Sequence, residues 1–210
     1  MRVKAWLRKL MLYVVLVGMM VVILFPLYWM VISSIKPVMD LYRSYSLIPE
    51  RVTSYSYEQV FMSPIPIHIR NSTLVALAAA ALSVFLATLA SLATMRFRFR
   101  GKGLFMNLLI LCYMFQGFML VVPLADLLTR LGLYDNIGGV AILHTILIMP
   151  FAIWMLRAFF GTIPVDLEEA AMIDGTSRLG AFWRVTFPLS APGLATAAIF
   201  AFLTSWNEYM

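Results

Sequence analysis

The stretch DLEEAAMIDGTSRLG, residues 166–180, decides how this chain is read. It gathers Asp166, Glu168, Glu169, Asp174 and Arg178 into a short, alanine-rich, glycine-punctuated segment. The chain around it is 62% hydrophobic and only 12% charged. Soluble domains hold apolar content nearer half and charge near a quarter. A polar island of this kind, set between long apolar runs, marks a loop outside the bilayer that joins two membrane-crossing helices. The fold class that follows is all-α, a polytopic bundle of transmembrane helices in one membrane domain spanning residues 1–210.

A bilayer core takes about 20 apolar residues of helix. Five segments fit: Leu10–Ile32, Asn71–Met95, Leu104–Leu128, Gly138–Phe160 and Ala191–Met210. The first follows Arg2, Lys4, Arg8 and Lys9, as a signal peptide would. It is too long for such a segment and lacks a small-residue cleavage site, so it reads as a retained first span. Pro26, Pro123 and Pro150 are expected to kink their helices or to sit near the ends. Cys112, the single cysteine, lies in an apolar run and reads as a packed side chain.

Basic residues orient the chain. With the N-terminus inside, the cytoplasmic segments carry Arg2, Lys4, Arg8 and Lys9, then Arg96, Arg98, Arg100 and Lys102, then Arg157, Arg178 and Arg184. These outnumber Lys36, Arg43, Arg51, Arg70 and Arg130 on the other side, which implies a cytoplasmic N-terminus. The net charge of +6 is thereby assigned to membrane topology and not to nucleic acid. The outer loop, Ser33 to Arg70, is long enough for one or two short helices, with SYEQVFM as a candidate. The opening segment, within a loop of residues 161–190, falls on the cytoplasmic side.

Within that loop Asp166 is placed to N-cap a helix, with Glu169 three residues on as a capping-box partner. Leu167, Ala170, Ala171 and Asp174 share a shallow face, and Gly175 sits where a C-terminal glycine belongs. A second short helix is expected from Ser177, with Leu179, Phe182, Trp183 and Thr186 at helical spacing, before Pro188 and Pro192. A helix lying on anionic lipid would be basic. The acids here favour docking into a groove on another protein.

The run EAAMIDGTSRLGAFWRVTFP, residues 169–188, resembles the EAA loop in permease subunits of bacterial ABC importers. That pattern is Glu-Ala-Ala, three residues, Gly, nine residues, then Ile-x-Leu-Pro. Glu169, Ala170, Ala171, Gly175 and Pro188 fall at the matching places, and Val185 and Phe187 replace the usual Ile and Leu. LFPLYWMVISSIKP, RNSTLVALAAAALSVFLATLASLATMRFRFRGK, PLADLLTRLGLYDNIGGV and SWNEYM are similar to the carbohydrate-importing, maltose-type branch. The resemblance implies a subunit moving a sugar or polyol across the bacterial cytoplasmic membrane by alternating access. It implies a second, homologous permease subunit, cytoplasmic ATPase subunits that bind ATP and Mg, and an extracytoplasmic solute-binding protein. Glu169, Ala170, Ala171, Asp174, Gly175 and Pro188 would form the ATPase-coupling loop. The family has six spans, so five are expected here, with the C-terminal one missing.

No nucleotide, metal or hydrolytic motif accompanies the spans. RGKG at residues 100–103 lacks the glycine spacing and the Ser/Thr of a phosphate-binding loop. The chain is therefore expected to be no enzyme and to hold no cofactor. His68 lies in the outer loop, and His144 reads as a hydrogen bonder between helices. Polar groups within spans mark candidate substrate contacts because lipid makes them costly. Gln116, Asn207 and Glu208 are the candidates put forward, with Asn107 and His144 beside them; interhelical bonding is the alternative role for each. Two other readings are an ion-coupled secondary transporter, which would need paired ionisable groups and inverted repeats, and a membrane scaffold without transport.

Overall fold

A computed structural model describes residues 2–43, 46–115 and 117–208. All its regular elements are helical. They fall into two units, Met1–His68 and Ile69–Met210.

In the first unit, α1 (Arg2–Ile35) runs through Pro26 without a break. Its stretch Arg8–Ile35 is long and apolar enough to cross a bilayer. Two short helices follow, α2 (Val38–Arg43) and α3 (Tyr55–Met62), as the length of the loop allowed. Several contacts pin the loop to the end of α1. Tyr28 donates its hydroxyl to the Leu47 carbonyl at 2.6 Å, and the Ser34 and Tyr57 hydroxyls meet at 2.8 Å. The Thr53 amide donates to the Ile35 carbonyl at 2.9 Å. Buried Lys36 donates to the Ser46 carbonyl and lies 5.1 Å over the Trp29 ring.

The second unit is built around α7 (Ile137–Gly161). Asn136 caps it, its side chain accepting from the Gly138 amide at 2.7 Å. α4 (Ile65–Arg96) precedes it in the chain, made of Ala and Leu, which favour helix. α4 buries Ala76, Ala79, Ser83, Ala87, Ser91 and Thr94. Small residues let membrane helices approach closely, where dispersion and short polar contacts replace a hydrophobic driving force. Ser91 accordingly donates to the Ile153 carbonyl of α7 at 3.1 Å. α5 (Lys102–Met114) and α6 (Gly117–Arg130) also pack on α7.

Three helices are long and apolar enough to span alone: Arg8–Ile35, Ile65–Arg96 and Ile137–Gly161. The other two expected spans take a different form. Leu104–Leu128 is divided between α5, which ends at Met114, and α6, which begins at Gly117 and holds Pro123 inside it. Cys112 of α5, expected to be packed, is exposed. Pro150 lies inside α7. The last apolar segment forms α10 (Ala191–Trp206), which bends 73° from the helix before it.

Candidate functional site

α8 (Val165–Ile173) and α9 (Arg178–Leu189) form the loop that the sequence singles out. α8 starts two residues earlier than expected. Pro164 occupies the cap position and Asp166 sits within the first turn, so Asp166 is not the N-cap. There, with Glu168, it faces the positive end of the helix dipole.

The exit from α8 follows the expectation closely. Asp174 is the C-cap and Gly175 adopts φ +93°, the left-handed conformation that glycine takes without a steric penalty. The Thr176 amide donates to the Ala171 carbonyl and the Gly175 amide to the Met172 carbonyl, each at 3.1 Å. This pair of bonds is a Schellman motif, which satisfies carbonyls that the helix end leaves free. The Thr176 hydroxyl adds a second bond to the Ala171 carbonyl at 2.7 Å. Ser177 then caps α9, accepting from the Gly180 amide at 3.1 Å.

α9 contains a π-helical turn, Phe182–Thr186, in which the Phe187 amide donates five residues back to the Phe182 carbonyl. Pro188, one residue later, has no amide to donate, so the ladder must change register near it. The turn aims Phe182 inward, where its ring meets Phe160 of α7 edge-on at 5.5 Å and 87°. Trp183 and Phe187 pack together at 4.7 Å.

The expected coupling residues divide by face. Glu169, Ala170, Asp174, Gly175 and Pro188 are exposed, whereas Ala171 is half-buried. Leu167, Ile173 and Leu179 add exposed apolar surface, with Ile173 86% accessible. A mixed face of exposed apolar and acidic groups is therefore presented away from the helices.

The inward acid is Glu168, which the loop's motif does not include. It is 3% exposed and pairs with Arg96, the last residue of α4, whose Nε lies 2.9 Å from Oε2 and 3.0 Å from Oε1. The Thr186 hydroxyl donates to Oε1 as well. Arg178 of α9 reaches the Arg96 carbonyl at 3.4 Å. A charge so buried must be paired, or its desolvation is uncompensated. The signal in the sequence is spacing: Glu168, Ala171 and Met172 recur on one helical face, opposite the exposed one.

Two substrate-path candidates, Asn207 and Glu208, follow the end of α10. Asn207 is exposed and turned to its own helix, its amide donating to the Leu203 carbonyl at 2.9 Å. Gln116 lies outside the described residues. Glu208 lines two cavities. One of about 730 Å³ also touches Cys112, Tyr113, Phe115, Pro150 and Thr204. The other, about 440 Å³, is lined by Asn71, Asp135, Asn136, His144 and Ser205 among others. His144 Nδ1 meets the Ser205 hydroxyl at 2.6 Å, the bond between helices that a lone intramembrane histidine suggested. Among the described residues no three His, Cys, Asp or Glu side chains converge as metal ligands.

Residues 83–210 match the family described as binding-protein-dependent transport system inner membrane component. The inner membrane ABC transporter permease protein YcjP of Escherichia coli is 34% identical over 91% of this chain and 70% of its own length. The trehalose transport system permease protein SugB of Mycobacterium tuberculosis is 36% identical over 89% of this chain and 68% of its own. Among solved structures, a bacterial ABC transporter involved in importing the acidic polysaccharide alginate superposes with a TM-score of 0.81. It covers 99% of this chain and 73% of that one at 24% identity, a likeness of fold.

Proposed function

The chain belongs to the binding-protein-dependent transport inner-membrane component family, and from that premise we propose that it moves a sugar or polyol inward as the permease subunit of an ATP-driven importer. The name of SugB supports the sugar class, and the apolar helices fit a multi-pass protein of the inner membrane. The excess of basic residues around α4's end, α8 and α9 favours a cytoplasmic location for this loop and for the N-terminus.

The observation that carries the reading is the construction of the loop. α8 keeps its acidic and apolar outer face free while Glu168 and Phe182 fasten its inner side to the helices. Such a face fits a groove in a separate ATPase subunit, with ATP and Mg bound there. Closure of an ATPase dimer would then move the loops as rigid bodies and tilt the spans between outward and inward access. A second, homologous permease would complete the path, and a solute-binding protein would deliver cargo to the outer side. The cavities that share Glu208 supply polar and aromatic groups suited to a hydroxylated solute.

Affinity purification of the tagged chain from its native membrane tests this reading. An ATPase subunit recovered in fixed ratio with the permease is the expected result. Solute uptake that persists when ATP hydrolysis is blocked would contradict it and favour an ion-coupled carrier.

A further inference from the structure

We infer that Glu168, with Arg96 and Thr186, is a positioning joint that transmits movement of the coupling loop to α4, a role separate from that of its neighbour Glu169. The inference rests on the reading of the loop as the ATPase contact. The two acids are adjacent in sequence but point to opposite sides. Glu169 is exposed on the outer face, whereas Glu168 is turned into the protein.

The joint is built where two helix ends meet. Arg96 is the last residue of α4, so its cation stands at the negative end of that helix's dipole. Glu168 lies in the first turn of α8, at that helix's positive end. Each charge is favoured at its own terminus before the two are paired. Glu168 Oε2 and Oε1 both lie within 3.0 Å of Arg96 Nε, and Oε1 also accepts from Thr186 of α9. One carboxylate therefore ties together α4, α8 and α9.

Burial makes the joint stiff. The Glu168 side chain is 3% exposed and that of Arg96 12%. Among the described residues the buried Arg96 Nη2 has no hydrogen-bond partner. Sliding the loop along α4 would strand both charges away from water, a cost that rises steeply with separation at low dielectric. The loop and the end of α4 thus move together. Apolar contact alone, such as Phe160 on Phe182, is non-directional and would permit slip.

The test uses the assembled importer in detergent, with Cys112 as the reporter. It is the chain's single cysteine and it lines the larger of the two cavities that reach Glu208. Its rate of labelling by a fluorescent maleimide is measured with and without ATP plus vanadate, beside the rate of ATP hydrolysis. The wild type should show an ATP-dependent change in labelling. Glu168→Gln keeps the side chain's size and removes its charge. It should retain the ATPase subunit and hydrolysis while losing the larger part of that labelling change. Glu169→Gln should do the reverse, weakening ATPase retention and leaving the labelling change in whatever complex remains.

Glu168→Gln with a wild-type labelling response overturns the joint, as do two variants that behave alike. If Glu168→Gln does not assemble, Thr186→Val decides, since it keeps the ion pair and removes one donor. A reduced response supports the joint, and an unchanged one overturns it. A wild type whose labelling ignores ATP sinks the importer reading, and the joint with it.

Discussion

Gly193 of α10 lies so close to Phe159 of α7 that a β-carbon at residue 193 would stand 2.4 Å from the ring's Cγ. The close pass sits just after the 73° bend between α9 and α10, where the loop of α8 and α9 re-enters the bundle. α10 buries Ala197, Ala201 and Ser205 beyond this point, so one small-residue face continues along it.

Gly193→Ala should therefore destabilise the protein. A methyl group has no space there unless Phe159 or the helix axis moves, and such overpacking costs about 1–3 kcal/mol. Thermal unfolding in detergent should register a lower midpoint. A β-carbon at Gly18, on α1, would meet nothing within 4 Å, and Gly18→Ala should leave the midpoint unchanged.

Ser205→Ala should cost more than the simultaneous change of both partners. The single variant removes the partner of His144 Nδ1 in a ring whose Nε2 has no hydrogen-bond partner among the described residues. Polar contacts between membrane helices are worth about 1–2 kcal/mol. Combining Ser205→Ala with His144→Leu removes the stranded group as well, so the double variant should recover part of the loss. A double-mutant cycle on unfolding midpoints reads the coupling.

Gly175 tests the loop's exit. Nothing stands within 4 Å of a β-carbon at residue 175, so the penalty there is conformational and not steric. A left-handed residue other than glycine costs about 1–2 kcal/mol, and asparagine bears it best. Gly175→Asn should retain most of the ATP-driven response and Gly175→Val should lose it, both measured in the assembled complex. Equal behaviour would show that the turn is not held in this conformation.

Ile173→Glu should separate folding from assembly. The side chain is 86% exposed, so the permease alone should unfold at the same temperature as the wild type. An added acid on an apolar contact should displace the ATPase subunit, read as its loss from the purified complex.

Much of this arrangement was legible in the sequence because it rests on local chemistry. The spacing from Glu169 to Gly175 and Pro188 announces a helix, a left-handed turn and a second helix, and Ser177 caps that second helix as its position suggests. The long apolar runs likewise mark α1, α4 and α7. What stayed hidden depends on distant partners. Glu168 and Glu169 are chemically identical, and the partners of the inward one, Arg96 and Thr186, lie 72 and 18 positions away. The division of the third apolar run into α5 and α6 was equally opaque. Pro123, expected to kink its helix or to sit near an end, lies inside α6, since proline is tolerated inside a membrane helix when neighbours satisfy the freed carbonyl. The start of α8 lies two residues before the expected one because Asp166 is a good cap by type, while Pro164 already fixes the chain's entry.

Solute uptake into proteoliposomes holding the purified complex shows whether the chain imports at the expense of ATP, with radiolabelled trehalose as the first probe and a polyol panel beside it. ATP inside and binding protein outside should drive accumulation, and a non-hydrolysable ATP analogue should abolish it. Accumulation that continues with the analogue, driven by an ion gradient alone, would contradict the account.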